Sequence, residues 1–170
     1  MNLASELIRI ANLEIGVHED GDTNTGKRVN LYKAAASDCD LAPTASWAWC
    51  AAFVDWCVRE ALLAANVTTT ATFKRPTTAG AWDLIAWSLA QDNSTQTIRE
   101  PGKNIRAGDI IVFNFHHCGI ATSAATESGF FVTTEGNTSP GDGGSQRDGG
   151  GVHSRRRHVS QVKAVIRFQV

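Results

Sequence analysis

The sequence predicts an α+β domain in which N-terminal helices pack on a C-terminal antiparallel sheet. Three observations carry that expectation. Up to Ala90 the apolar residues recur at helical spacing, while beyond Pro101 they alternate or run in short stretches bounded by Gly and Pro. The two patterns are segregated along the chain, which disfavours an interleaved parallel sheet. The chain's 170 residues suit a single domain, residues 1–170, with no internal repeat.

The first helix is expected over residues 3–15. Leu3, Ala4, Leu7, Ile8, Ala11 and Ile15 form its apolar face, with Ser5, Glu6, Arg9 and Asn12 opposite and Gly16 closing it. The segment from His18 to Gly26 is polar and turn-rich, and a short helical piece follows at about Val29–Ala36. The strongest local pattern is Trp47–Ala65. There Phe53, Val54, Cys57, Val58, Ala61 and Leu62 make a continuous stripe, Ser46 is the expected N-cap, and Asp55 can pair with Arg59 on the other side. A Thr-rich loop, Thr68–Thr72, leads towards a helix over Ala79–Ala90 that presents Trp82, Ile85, Ala86 and Leu89. Strands are expected at Ile110–Phe115 after the Gly108-Asp109 turn, then at Gly119–Ser123, Phe130–Thr134 and Lys163–Val170. Six glycines among the eleven residues from Gly141 to Gly151 read as a mobile loop.

Composition narrows the function. Apolar residues make up 42% of the chain and the formal net charge is −1, so nothing overall favours nucleic acid as a partner. Charge is uneven locally: Arg147, Arg155, Arg156, Arg157, Lys163 and Arg167 face only Asp142 and Asp148 over residues 141–170, which reads as a solvated basic face. No stretch approaches the roughly 20 apolar residues of a transmembrane helix, and the N-terminus lacks the pattern of a secretory signal. Synthesis in the cytoplasm without classical export is therefore expected. Four cysteines are too sparse for a disulfide scaffold, and free thiols are expected.

Cys50 stands at or near the first turn of the strongest helix. The positive end of the helix dipole favours thiolate there, and helical spacing aligns Cys50 with Phe53, Val54 and Cys57, towards the body of the protein. A buried core thiol is the competing reading. Cys57 reads as core, and Cys39 as a residue of a polar loop. Cys118 follows two histidines, but no CxxC or HxxxH spacing accompanies it, and neither a metal nor a cofactor is expected. Strand alternation sends His116 and His117 to opposite faces, and sharing the parity of Ile111, Phe113 and Phe115 favours His117 as the one facing Cys50. Glu135 and Asn137 alternate on one strand face beside Gly136, where either can orient an imidazole. Asp20–Asn24 resembles the start of a calcium loop, but the sixth position lacks Gly and Leu31 stands where a bidentate Glu is needed.

Taken in order, these segments resemble the CHAP family, the cysteine- and histidine-dependent amidohydrolases/peptidases of the papain-like superfamily, and in particular the compact domains of phage lysins. The resemblance rests on Trp49-Cys50-Ala51-Ala52-Phe53-Val54, Arg106–Phe113, His117-Cys118-Gly119-Ile120 and Glu135-Gly136-Asn137-Thr138, with support from Arg75–Trp82 and Ser145–Gly150. It implies a papain-like fold, with Cys50 as nucleophile, His117 as base and acid, Glu135 as orienting carboxylate and Asn137 as a further polar member. Trp49 and Arg147 are expected to contact substrate. Peptidoglycan is the implied substrate, cut at an amide bond by either an amidase or an endopeptidase activity, in the wall or periplasm after release or delivery. A monomer served by a holin-type delivery system or held by an immunity protein fits that setting. Cys118 departs from the β-branched apolar residue common at its position. The rival expectation is a non-catalytic or metal-stabilised wall-binding domain, in which Cys50, His116 and Cys118 converge on a metal.

Overall fold

The computed structural model describes residues 2–36, 40–141 and 144–170; Cys39, Asp142 and Gly143 lie outside them. The elements run α1 (Leu3–Leu13), α2 (Lys27–Lys33), α3 (Cys50–Ala64), α4 (Asp83–Ala90), then β1 (Thr95–Arg99), β2 (Ile110–Phe113), β3 (Cys118–Ala121), β4 (Phe130–Thr138), β5 (Gly151–His158) and β6 (Val162–Phe168). Helices precede strands, as the periodicity requires. The strands form one antiparallel sheet in the order β1-β6-β2-β3-β4-β5.

Helix α3 is the spine. It is buried along nearly its whole first three turns, from Cys50 to Val58, and packs against α1, α2, β3 and β4. The helix-facing side of the sheet contributes Ile110, Val112, Cys118, Ile120, Ala164 and Ile166 to this core. The opposite side carries a smaller cluster of Ile111, Phe113, Ala121, Phe131 and Val165, closed over by Ile105 and Phe115. Both faces of β2 are therefore buried, which is why it reads as a continuous apolar run.

Several boundaries move. Helix α3 starts at Cys50 rather than Trp47, its N-cap is Trp49 without a side-chain cap, and Ser46 lies outside it. Asp55 is buried in the core and Arg59 bonds Glu60. In α1 the buried face includes Glu6, which pairs with Arg9, whereas Ile15 is exposed. Two strands were not expected. Edge strand β1 carries the half-exposed Thr-Gln-Thr-Ile pattern. Strand β5 buries arginines: Arg155 and Arg157 are 4% and 2% exposed, so the expected solvated basic face is turned half inwards.

The loop between β4 and β5, expected to be mobile, is laced to the sheet in its described part. Gly149 N donates to Asn137 O, Ser139 N to Ser145 O, and Arg155 donates to Ser139 O and Gln146 Oε1.

One glycine sets the distance between α3 and the sheet. A Cβ on Gly136 of β4 would lie 2.7 Å from Phe53 Cβ and 2.8 Å from Trp49 Cζ3. Both neighbours are fully buried, so neither can withdraw into solvent. Overpacking of this kind costs about 1–3 kcal/mol. Gly136→Ala is expected to lower the unfolding free energy by that amount, read as a lower urea midpoint at unchanged slope; an unchanged midpoint would show that the helix can lift off at no cost.

Candidate active site

The site forms where the open N-terminus of α3 meets the turn between β2 and β3. Because Trp49 offers no side-chain cap, the first-turn N–H groups of α3 are left for other acceptors, and Cys50 is the first helical residue. Cys50 is 4% exposed and Cys118 and His117 are fully buried. The thiol group of Cys50 sits well below its ordinary value. A hydrogen bond from Cys118 is the largest cause; contact with the His117 ring and the Ala51 N–H add to it, against desolvation. Burial instead pushes Cys57 and Cys118 up, so they remain thiols.

His117 occupies the position expected of it for a different reason. Strand β2 stops at Phe113, and Asn114–His117 form a turn closed by Phe113 N donating to His117 O at 2.9 Å. Strand parity in β2 would have sent His116 towards the helices, since Ile110 and Val112 face them and Ile111 and Phe113 face away. The left-handed backbone of His116, φ 55°, resets the alternation. His116 is exposed and stacks on Trp82 with ring centroids 3.4 Å apart. Trp82 in turn donates from Nε1 to Phe113 O at 2.9 Å and carries Lys163 Nζ 4.3 Å from its ring centre. The turn is thus pinned from outside.

His117 Nε2 meets Glu135 Oε2 at 2.9 Å, with both side chains fully buried. An ionised carboxylate can only accept, so Nε2 carries a proton. Nδ1, which has no other hydrogen-bond partner among the described residues, is the nitrogen left for the Cys50 sulfur. Burial lowers the affinity of His117 for its proton, but Cys50 and Glu135 together outweigh it and raise the group to about 9. Desolvation pushes Glu135 up, and Arg157 and His117 more than offset it, so the carboxyl falls to about 2. The directions of these shifts favour a thiolate–imidazolium pair beside an ionised carboxylate.

Glu135 is held from several directions. Oε1 accepts from Thr133 Oγ1 at 2.5 Å and Arg157 Nε at 2.7 Å, and Oε2 accepts from Arg157 Nη2 at 2.5 Å. Gly119 is required beneath it, since a Cβ there would lie 2.5 Å from Glu135 Cγ. That contact gives the His-x-Gly spacing its physical reason.

Asn137 is not brought into this cluster. A break in register between Glu135 and Thr138, and a left-handed φ of 56°, end the alternation that was to align it with Glu135. Its Nδ2 donates to Asp148 Oδ1 at 3.3 Å and its carbonyl accepts from Gly149, so it anchors the β4–β5 loop. Trp49 is corrected as well: it is fully buried, bonds Glu19 through Nε1 at 3.1 Å and stacks on Tyr32, which leaves it no surface for substrate. Arg147 is exposed on the loop. The residue that sequence reasoning missed is Arg157. Its signal was the spacing of Arg155 and Arg157, two apart like Thr133 and Glu135. Among the described residues no cluster of three or more His, Cys, Asp or Glu is placed to hold a metal, and His116 lies on Trp82 rather than beside Cys50 and Cys118.

No family model matches the chain, and no curated protein matches it in sequence. Among solved structures, the crystal structure of a wild type endolysin, LysIME-EF1, superposes over 98% of this chain with a TM-score of 0.51 at 20% identity. The two share a fold. The chain spans 64% of the length of that endolysin.

The charges predict how stability responds to pH. Glu135 falls from 4.5 to about 2 on folding, so its contribution is present above 4.5 and lost as pH drops through about 2. His117 rises from 6.5 to about 9, so its contribution is complete below 6.5 and lost as pH climbs through about 9. Between 4.5 and 6.5 both are present. Cys50 runs the other way: held well below its ordinary value of 9.0, it contributes above 9.0 and loses that contribution as pH falls. From 6.5 to 9.0 the gain at Cys50 therefore offsets the loss at His117. Denaturant midpoints should rise towards 6.5 and stay level from there to about 9, whereas a folded His117→Ala should go on rising over that interval. A wild type whose midpoint falls between 6.5 and 9 would show that Cys50 does not offset His117.

Proposed function

We propose that the protein is a cysteine hydrolase that cleaves an amide bond of peptidoglycan. The observation that carries this reading is the buried Cys50–His117–Glu135 line, set at an uncapped helix start within a fold shared with an endolysin. Neither the fold nor the pair alone names a substrate. Together with the CHAP-like wording of the sequence they favour the wall.

In the proposed reaction the Cys50 thiolate attacks the amide carbonyl. The developing oxyanion is met by N–H groups of the first turn of α3, of which that of Ala51 already lies against the sulfur. His117 Nδ1–H then protonates the leaving amine, and the acyl group remains on Cys50. A water loses its proton to Nδ1 and hydrolyses the thioester, which restores the ion pair. Glu135 fixes the Nε2–H tautomer throughout and stabilises the imidazolium. The amine released decides between two activities: a lactyl-amide cut defines an N-acetylmuramoyl-L-alanine amidase, and a peptide cut defines an endopeptidase. No Lewis acid enters any of these steps. Rate should fall as pH rises through about 9, where the imidazolium that protonates the leaving amine is lost.

The test is digestion of purified peptidoglycan with mass identification of the released fragments. Cys50→Ser should release nothing while keeping the wild-type circular dichroism spectrum. His117→Ala should lose on the order of 10²–10⁴-fold in rate. His116→Ala should lose far less, since that ring lies outside the pair, on Trp82. A folded, fully active Cys50→Ser would end the cysteine mechanism, and intact peptidoglycan after prolonged incubation with the wild type would end the substrate assignment.

A further inference from the structure

We infer that Arg157 is a positioning residue of this site: its guanidinium fixes the Glu135 oxygen on which the His117 ring turns, and so sets the direction of Nδ1 towards Cys50. The inference rests on reading Cys50, His117 and Glu135 as one reacting unit. Arg157 touches neither the sulfur nor the imidazole nitrogens, so it acts through Glu135.

Three observations lead there. First, the fork is closed: Nε donates to Oε1 at 2.7 Å and Nη2 to Oε2 at 2.5 Å, which defines the plane of the carboxylate. Oε2 is also the oxygen that receives His117 Nε2 at 2.9 Å, so Arg157 and His117 share one acceptor. Second, the same guanidinium lies over the Phe113 and Phe115 rings, 5.1 and 5.3 Å from their centres. Those rings lie beside His117, with centroids 5.9 and 6.0 Å from it and planes within 15° and 14°. Arg157 therefore supports the imidazole's edge through Glu135 and its stacking neighbours directly. Third, two further donors are used on the β4–β5 loop, where Nη1 bonds Gln146 Oε1 at 2.8 Å and Nη2 bonds Gln146 O at 3.2 Å. The side chain is 2% exposed and has no freedom left.

A structural ion pair would also be buried and bidentate. The two roles part on coupling. If Arg157 matters only to stability, its loss and that of the Glu135 charge affect the Cys50 pair independently, or Arg157 affects it not at all. If it acts by orienting Glu135, its loss has nothing left to act on once Glu135 is altered. Lysine separates charge from orientation, because one ammonium cannot reproduce the planar fork.

The experiment uses the full chain as wild type, Arg157→Lys, Arg157→Met, Glu135→Gln and the doubles Glu135→Gln/Arg157→Met and Glu135→Gln/Arg157→Lys. The readout is the rate of Cys50 alkylation by iodoacetamide across pH, followed by mass spectrometry, with circular dichroism to establish folding. Misalignment of a positioned group by about an ångström costs on the order of 10²-fold. Arg157→Met and Arg157→Lys should each slow alkylation at neutral pH towards that extent and shift its pH profile. Lysine should retain more of the stability than methionine but little of the rate, and Arg157 substitutions should add nothing in the Glu135→Gln background. If Arg157→Met does not fold, the lysine pair of variants completes the same cycle. A folded Arg157→Lys with the wild-type alkylation profile, or losses that multiply in the doubles, would overturn the inference. The readout needs no peptidoglycan. A wild type that leaves the wall intact yet shows this coupling would sink the proposed substrate and keep the positioning role, and the reverse result would do the opposite.

Discussion

Everything at the site depends on a carboxylate that the sheet buries completely. An isolated buried charge is prohibitively costly, and a pair repays desolvation only when its geometry is good and the remaining lone pairs are satisfied. Glu135 meets that condition by accepting from Thr133, Arg157 and His117 at once. Its position then dictates the rest. The His117 ring must present Nε2 to it, Nδ1 is turned to the far side, and the sulfur at the start of α3 is what lies there.

Two glycines on neighbouring strands make room for this arrangement, on opposite faces of the sheet. Gly119 leaves space for the methylene stem of Glu135, and Gly136 lets Phe53 and Trp49 approach until α3 rests on β4. A side chain at the first would displace the carboxylate; one at the second would lift the helix that carries Cys50. The buried Trp49 belongs to this packing as well. It stacks on Tyr32 and bonds Glu19, and it fixes where the helix can begin.

Much of this was legible in the sequence. The helix–strand segregation, the apolar stripe of α3 and the position of Cys50 on its first turn follow from periodicity alone. His117 could be singled out, but alternation was the wrong reason: β2 ends before the histidines, and the left-handed turn at His116 decides which ring faces inwards. Only the turn's three-dimensional path carries that information. Strand β5 was hidden because its buried face is built from Arg155 and Arg157, residue types that hydrophobic pattern reading assigns to solvent. Asn137 shared parity with Glu135 on paper, and a register break removed it. The failures at His116 and Asn137 come from single left-handed residues, and that at β5 from arginines whose partners are distant in sequence.

The charges form an alternating line: thiolate, imidazolium, carboxylate, guanidinium. Without its last member the line would be net negative inside a desolvated pocket, and His117 would be the one cation bonded to Glu135 among the described residues. That would strengthen the hold of the imidazolium on both its protons, and in the proposed reaction the Nδ1 proton must leave for an amine. With Arg157 drawing on both oxygens, Glu135 stays ionised but divides its charge between two cations. A planar guanidinium fork that bonds both carboxylate oxygens can do this where a second histidine could not. The basic run before the last strand, which looks like surface charge in the sequence, thus supplies the counter-charge that lets a buried carboxylate orient a histidine without trapping it.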